Sequence, residues 1–278
     1  MTRAHENALP DATYRALSGR DPEITHRYGD NFHILADPFL LSHLGRLCAR
    51  ETTQPSINSL VKDLYRYLVK AVLNAEFPRT STRIATRMAD ITPAGHWEGQ
   101  VIDPHTLTVT VNIARAGTLP SQVCYDFLNK TMEPQQVRQD HFIMARETDE
   151  KGRVIGTNIS GSKIGGPVDD AMVLFPDPMG ATGGSLSHAI SVYKKTHGKA
   201  RRYICLNLIV TPEYLRRIKA DHPDVVVYAV RLDRGASPAD VLGTVPGTHW
   251  DRESGLTDKQ YIVPGGGGFG EIMNNAYV

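Results

Sequence analysis

The amino-acid sequence predicts an α/β protein built on one doubly wound, mainly parallel sheet. Between residues 106 and 230, segments with the pattern of strands alternate with segments with the pattern of helices, as in proteins whose parallel strands are joined by crossover helices. Residues 171–175 and 203–210 are nearly continuous apolar runs, which is typical of strands buried on both faces of a parallel sheet. The chain has 278 residues, 41% hydrophobic and 22% charged, so a packed core is expected.

The composition narrows the class of partner. Lysine plus arginine number 31 against 30 for aspartate plus glutamate, so charge gives no case for a nucleic acid or a membrane surface as the main partner. The three cysteines are far apart and odd in number, which argues against a disulfide framework or zinc site and favours the reducing cytoplasm. The 11 histidines show no metal-binding spacing, and residues 1–7 lack the apolar core of a signal peptide. We therefore expect a cytoplasmic protein that binds small molecules and has no dedicated metal-ligand cluster.

The first part of the chain is predicted to be a polar arm, residues 1–30, followed by a single domain over residues 31–278. A short helix is predicted to begin at Asp37-Pro38. A longer helix is predicted after Ser56, which we expect to be its N-cap. Its apolar face is marked by residues at three- and four-residue spacing, which are Ile57, Leu60, Val61, Leu64, Leu68 and Val72.

The middle of the chain supplies two strands and a hairpin. Residues 106–113 alternate as a strand does, and residues 141–145 form a second strand that ends at Arg146-Glu147. Residues 148–168 are rich in glycine, serine, aspartate and lysine, with a turn signal at 150–152. We interpret this stretch as a hairpin or mobile flap.

The last part continues the alternation. The strand 171–175 leads through a glycine-rich loop into a helix, for which Gly198 is the stop signal. The strand 203–210 is followed by Thr211, a predicted N-cap, with Pro212 at the first helical position. A fifth strand covers 225–230. The polar, turn-rich stretch that follows is predicted to be an inserted loop.

The glycine-rich loop is the most informative segment. It begins with an acid directly after a buried strand and continues through small residues into a helix: Asp177, Pro178, Met179, Gly180, Ala181, Thr182, Gly183, Gly184 and Ser185. Small side chains let the backbone approach a ligand, and the N–H groups at a helix N-terminus favour a phosphate. The loop lacks the Gly-Lys-Ser/Thr ending of a Walker A motif and the spacing of a dinucleotide fingerprint. An ordinary tight turn is the alternative, but the leading acid and the Thr-Gly-Gly-Ser ending favour a phosphate site.

Two arginines are predicted to lie near this loop. Arg115 and Arg146 each follow a predicted strand, and ligands of doubly wound sheets bind at the carboxyl ends of the strands. Guanidinium groups suit phosphate oxygens. An arginine at a strand end is otherwise often a solvated cap or an ion-pair partner. Because both arginines and the loop converge on one sheet edge, a function in anion binding is the better interpretation.

The loop resembles the phosphoribosyl-pyrophosphate (PRPP) loop of the uracil phosphoribosyltransferase family, Asp-Pro-Met-x-Ala-Thr-Gly-Gly-Ser, with Gly180 at the variable position. Further segments resemble patterns of the same family in the same order. They are residues 33–53, Ala114-Arg115-Ala116-Gly117, Met144-Ala145-Arg146-Glu147, His222-Pro223-Asp224 and Tyr261-Ile262-Val263-Pro264-Gly265.

This resemblance implies a type I phosphoribosyltransferase fold, with a flap hairpin and a hood formed by chain-terminal segments. It implies transfer of ribose 5-phosphate from PRPP to uracil, giving UMP and pyrophosphate in pyrimidine salvage, with Mg²⁺ as cofactor and a homodimer or higher homo-oligomer as assembly. Loop 177–185 would bind the PRPP 5′-phosphate. Asp177 would bind the ribose hydroxyls, and Arg115 and Arg146 would bind the pyrophosphate, all three acting as catalytic residues.

The base-binding segment departs from the family. The resemblance assigns the base to Ile262, Gly267, Gly268 and Phe269, but the family has Asp and Ala where this chain has Gly268 and Phe269. Main-chain contacts to uracil would survive a glycine, whereas Phe269 adds bulk that could stack on a base or narrow the pocket. Glu271 keeps an acid at the position of the family's second Asp, and an insertion occupies about 234–254. Two alternatives therefore stay open: the same chemistry on another base, or a non-catalytic regulator that binds PRPP or a nucleotide.

Overall fold

The computed structural model describes residues 13–148 and 154–277, with side chains described for all of these except 145–148 and 154–158. In chain order the strands are β1 (Phe32–Ile34), β2 (Arg79–Ala85), β3 (His96–Ile102), β4 (Thr108–Ala114), β5 (Val137–Thr148), β6 (Val154–Lys163), β7 (Met172–Pro176), β8 (Met179–Gly180), β9 (Arg202–Val210) and β10 (Val226–Leu232). The α-helices are α1 (Pro38–Cys48), α2 (Ser56–Glu76), α3 (Thr118–Leu128), α4 (Gly184–Thr196), α5 (Pro212–Asp221), α6 (Ala239–Leu242) and α7 (Phe269–Ile272).

The central sheet has the strand order β1-β10-β9-β7-β4-β5-β6, and the short strand β8 also pairs with β9. Every pair in it is parallel except β5 with β6. β2 and β3 form a separate antiparallel pair. The predicted mainly parallel sheet is therefore confirmed.

Helices cover both faces of the sheet, and the side chains of β7 illustrate the two layers. Met172 and Leu174 join a cluster with the apolar residues of α1, α2 and α3. Val173 and Phe175 join the opposite cluster with those of α4 and α5. Because successive side chains of a strand point to opposite faces, an apolar run of five residues fits a strand buried on both sides. The doubly wound class is confirmed.

Capping residues define the starts of α1 and α5, where helices were predicted to begin, whereas α2 differs from its predicted start. Asp37 accepts hydrogen bonds from the backbone N–H groups at the start of α1, and Thr211 accepts one from the Tyr214 N–H at 3.0 Å. The prediction that Ser56 caps α2 is wrong. Pro55 occupies the cap position in a helical conformation, so Ser56 is already the first helical residue, and Gln54 Oε1 accepts from the Asn58 N–H at 3.3 Å instead.

The flap hairpin, formed by β5 and β6, begins earlier than predicted. The first half of β5 pairs in parallel with β4, and from His141 onward the strand also pairs antiparallel with β6. The predicted turn at 150–152 lies outside the described residues. Asp140, fully buried, holds the base of the hairpin, since its carboxylate accepts hydrogen bonds from the Gly165 N–H at 2.9 Å and the Tyr193 hydroxyl at 2.7 Å.

The chain-terminal segments pack on the domain. Gln54 Nε2, at the start of α2, donates to the carbonyl oxygens of Ile272 and Met273 near the C-terminus, each at 3.1 Å. These hydrogen bonds join the two segments, and the hood that the resemblance implies stays a prediction. At the other edge, the Tyr28 ring is fully buried and its hydroxyl donates to Glu253, so the inserted loop packs against residues of the N-terminal arm. No helix in the described ranges is long and apolar enough to cross a membrane.

Candidate active site

The glycine-rich loop lies where β7 ends and α4 begins. Gly183 is the residue before α4 and has a φ of 79°, a left-handed conformation that favours glycine. A Cβ atom on Gly183 would lie 3.3 Å from Arg217 Cβ, so the loop is also close to α5. The first backbone N–H groups of a helix have no acceptor within the helix, and the N-terminus carries partial positive charge. The start of α4, which the loop enters at Gly184, therefore has the partial positive charge that the predicted phosphate site requires.

Three buried polar residues support the loop from below. Asn207 Nδ2 donates to the Asp177 carbonyl oxygen at 2.7 Å, and the Tyr214 hydroxyl donates to Asn207 Oδ1 at 3.0 Å. Thr211 Oγ1 donates to the Ala181 carbonyl oxygen at 2.6 Å. These residues were not among the predicted site residues. The signal that points to them is an asparagine inside the apolar run 203–210, because a polar side chain in a buried strand requires a partner.

Asp177 is held at a fixed position at the start of the loop. Its backbone N–H donates to the Leu206 carbonyl oxygen at 3.0 Å, and its Oδ1 accepts from the Met179 N–H at 3.2 Å. The residue is half-buried. The hydrogen bond from the Met179 N–H fixes one oxygen of this carboxylate to its own loop.

The structure places Arg115 beside the loop, on the turn after β4. A Cβ atom on Gly117 would lie 3.2 Å from the carbonyl oxygen of Pro176, the residue that precedes Asp177. The two turns are therefore in contact. Arg115 is exposed, and its Nη1 donates to the Ala276 carbonyl oxygen at 3.0 Å. Arg146 lies in β5 opposite Thr157 of β6, and its side chain is outside the described residues.

The glycine segment 265–270 adjoins the same turn. A Cβ atom on Gly270 would lie 3.9 Å from Ala116 Cβ, so this segment borders the turn that carries Arg115. The Gly265 N–H donates to Asp233 Oδ2 at 2.7 Å, and Arg231 Nη2 donates to the Gly265 carbonyl oxygen at 2.9 Å. Three predicted segments, from three separate parts of the chain, thus meet at the carboxyl ends of the strands.

The predicted base-binding residues divide into buried and open positions. Ile262 is 8% exposed and Phe269 is 1% exposed, and both side chains belong to the core on the α1–α3 face. The Phe269 ring therefore lies in the core and not at the surface of a base pocket, so contact with a base would come from its main chain. Gly267 is exposed, and a Cβ atom on it would meet no heavy atom within 4 Å.

A cleft of about 390 Å³ lies beyond the glycine segment, between it and the end of α1. Gly266 and Gly267 form one wall, and the opposite wall includes Cys48 and Thr52. Neither Arg115 nor any residue of loop 177–185 lines this cleft. It therefore touches the predicted base segment without touching the predicted phosphate site.

Among the described residues, the cysteine thiols are not activated and the potential metal ligands are not clustered. Burial raises the pKa of Cys205 to about 12 and raises the pKa of Cys48 and Cys124 as well, so these thiols are poor nucleophiles at neutral pH. Within residues 13–148 and 154–277, no three histidine, cysteine, aspartate or glutamate side chains are grouped as metal ligands. The chemistry available here consists of backbone N–H groups, one fixed carboxylate and a guanidinium.

A mainly parallel sheet with a glycine-rich loop after a central strand and an antiparallel hairpin at one edge has the architecture of the type I phosphoribosyltransferases, and this chain has that fold. Residues 34–252 match the family model named uracil phosphoribosyltransferase. The chain belongs to the uracil phosphoribosyltransferase family. This membership places it among the transferases that use PRPP.

Individual relatives are distant. Over 243 residues the chain is 25% identical to a uracil phosphoribosyltransferase of Burkholderia pseudomallei (strain 668), an alignment that covers 87% of this chain and 94% of that protein. Over 111 residues it is 35% identical to a uracil phosphoribosyltransferase of Shouchella clausii (strain KSM-K16), covering 40% of this chain and 43% of that protein. A solved structure from Aquifex aeolicus aligns with a TM-score of 0.66 at 20% identity, covering 89% of this chain and 99% of that one, which supports the fold.

Proposed function

We propose that this chain transfers ribose 5-phosphate from PRPP to uracil, giving UMP and pyrophosphate. The observation that carries the proposal is the contact of three segments at one sheet edge: the loop with Asp177, the turn with Arg115 and the glycine segment 265–270. They provide, side by side, an anion-binding helix terminus, a carboxylate and an open main-chain surface for a planar base.

Each segment has a role in the proposed reaction. The 181–185 backbone binds the 5′-phosphate, while Asp177 binds ribose hydroxyls and stabilises the positive charge that develops on the sugar as the C1′–pyrophosphate bond breaks. Arg115 and Arg146 bind the departing pyrophosphate. The base nitrogen forms the new bond to C1′ as pyrophosphate leaves, and its proton passes to solvent. Positioning and charge stabilisation then account for catalysis without a protein nucleophile.

The proposal includes Mg²⁺, bound together with PRPP. Asp177 is the single carboxylate within loop 177–185, which suits an ion that keeps several waters and binds mainly to substrate phosphate oxygens. Assembly as a homodimer or higher oligomer, and residence in the cytoplasm, stay predictions.

A second candidate function is favoured by the glycine segment itself. Gly268 carries no side chain where the family has a carboxylate, and the Phe269 ring is buried, so another base is a real alternative to uracil as acceptor. A non-catalytic regulator that binds PRPP or a nucleotide is the third. Retention of Asp177 together with both arginines favours catalysis.

The test is pyrophosphate release from PRPP and Mg²⁺ with a panel of bases, for the unchanged chain and for Asp177→Asn. The asparagine keeps an oxygen that accepts from the Met179 N–H but loses the charge, so release is expected to fall about 100-fold or more. Asp258→Asn, a change at an exposed acid, serves as the matched control and should leave the rate unchanged.

The panel separates the three functions. Release with uracil supports the proposal, and release with another base alone moves the function to the second candidate. If PRPP raises the melting temperature but no base releases pyrophosphate, the chain is a regulator. If PRPP neither reacts nor binds, the proposal is wrong.

A further inference from the structure

The carboxylate of Glu271 occupies the space in which a side chain on residue 268 would stand. A Cβ atom built on Gly268 would lie 1.6 Å from Glu271 Oε2 and 2.8 Å from Glu271 Cδ, far inside contact distance. Gly268 has a φ of −84°, an ordinary conformation for any residue, so backbone geometry does not require a glycine here. The glycine leaves room for the carboxylate that curls back from α7.

The position of this carboxylate is defined by the helix that carries it. The Glu271 N–H and the Ile272 N–H both donate to the Gly268 carbonyl oxygen at 3.0 Å, which closes the first turn of α7 over the glycine segment. Glu271 is half-buried. Within the described part of the chain, no side-chain hydrogen bond or ion pair involves its carboxylate. A half-buried charge without a protein partner has unused capacity to accept hydrogen bonds.

We propose that Glu271 is the specificity-determining residue of the acceptor site. Its carboxylate, which lies where a side chain on residue 268 would stand, accepts a hydrogen bond from a ring N–H or amino group of the base. This inference rests on the proposed function and deepens it. Uracil retains a ring N–H after its other nitrogen is joined to ribose, so the contact exists in the product as well as the substrate. The family has an aspartate where this chain has Gly268, and Glu271 would supply a carboxylate in its place.

The test measures how much a base adds to binding, independently of turnover. Calorimetric titrations with ribose 5-phosphate and with UMP, CMP, AMP and GMP give, for each nucleotide, a ratio of its affinity to that of ribose 5-phosphate. Glutamine replaces the charged acceptor by a neutral amide, which weakens the hydrogen bond, so the ratio for the preferred nucleotide should fall about tenfold in Glu271→Gln. Ribose 5-phosphate affinity should not change. Glu51→Gln, at an exposed position, is the matched control and should leave every ratio unchanged.

A second variant separates this role from simple packing. Gly268→Ala keeps the glutamate at residue 271 but adds a methyl group in the space that its carboxylate occupies. The carboxylate must therefore move. The alanine variant should therefore lose base affinity like Glu271→Gln, and the double variant should be no worse than either, because both act on one contact.

The outcomes distinguish this inference from the proposed function. Unchanged ratios in Glu271→Gln, or fully additive losses in the double variant, would overturn the role of Glu271. A chain that binds ribose 5-phosphate but gains nothing from any base would overturn it too. If ribose 5-phosphate itself does not bind, the proposed PRPP site fails instead.

Discussion

At the scale of single residues, Gly183 sets the geometry of the loop. Its φ of 79° is a conformation that costs a non-glycine L-residue about 1–2 kcal/mol. Gly183→Ala should lower the free energy of unfolding by about that amount and weaken the binding of ribose 5-phosphate, because the N–H groups at the start of α4 would be re-aimed. Chemical denaturation and calorimetry measure the two effects.

Gly45→Ala is the matched control for that substitution. Gly45 lies in α1 with no heavy atom within 4 Å of the added methyl group, so alanine should raise the free energy of unfolding by roughly 0.5–1 kcal/mol. Ribose 5-phosphate binding should stay the same. Equal effects of the two substitutions would contradict a special role for position 183.

The sequence predicts where a site residue lies when one local motif defines its position. It does not predict the position when packing against distant parts of the chain determines it. Asp177 and Arg115 lie at the predicted sheet edge because each directly follows a strand. The Phe269 ring instead turns into the core, since α7 begins at that residue and orients it inward. The Glu271 carboxylate lies where a side chain on residue 268 would stand. This contact depends on how the chain folds at the start of α7, so neither composition nor residue spacing reveals it.

At the scale of elements, Thr211 joins the loop to α5. Its hydroxyl donates to the Ala181 carbonyl oxygen at 2.6 Å and accepts from the Tyr214 N–H at 3.0 Å. Thr211→Val keeps the shape and removes both hydrogen bonds, so the free energy of unfolding should fall by about 1–3 kcal/mol. PRPP affinity should fall as well, because the loop loses an anchor.

Thr211→Ser retains the hydroxyl and should restore both properties, which urea denaturation and PRPP titration would measure. Restored stability without restored PRPP affinity would mean that the anchor does not position the loop.

Strands with a clear apolar pattern in the sequence were predicted. Strands that depend on pairing with another strand were not. The alternation of 106–113 and the runs at 171–175 and 203–210 correspond to β4, β7 and β9. The β2–β3 pair was missed because its strands are largely polar and partly exposed and need each other to form. β1, three residues long, exists through its parallel pairing with β10, which is a contact distant in sequence.

At the scale of the whole molecule, the site is assembled from segments that the sheet brings together. The loop after β7, the turn after β4 and the glycine segment near the C-terminus are 60 or more residues apart in sequence, yet each touches a neighbour. The hydrogen bonds from Gln54 to Ile272 and Met273 hold the last of these against α2. Stability of the whole fold and integrity of the site are therefore coupled.

In the part of the chain that the structure describes, six tyrosines have nearly or fully buried side chains, and burial raises the pKa of each: Tyr28, Tyr65, Tyr193, Tyr203, Tyr214 and Tyr228. In the unfolded chain they titrate near pH 10. A pKa raised by folding contributes stability that is fully present below the unfolded value and is lost as pH rises above it. The free energy of unfolding should therefore decline steeply above about pH 10, by up to about 1.4 kcal/mol per pH unit for each tyrosine.

Urea denaturation from pH 8 to 11.5 measures this decline, and Tyr65→Phe tests its origin. The Tyr65 hydroxyl makes one hydrogen bond, to the Leu206 carbonyl oxygen at 3.2 Å, so phenylalanine should cost about 1 kcal/mol at pH 8. Above pH 10 the variant has one fewer group to ionise on unfolding. Its free energy of unfolding should therefore fall less steeply with pH, by up to about 1.4 kcal/mol per pH unit. A parallel decline in the two proteins would show that groups other than the buried tyrosines limit stability in alkali.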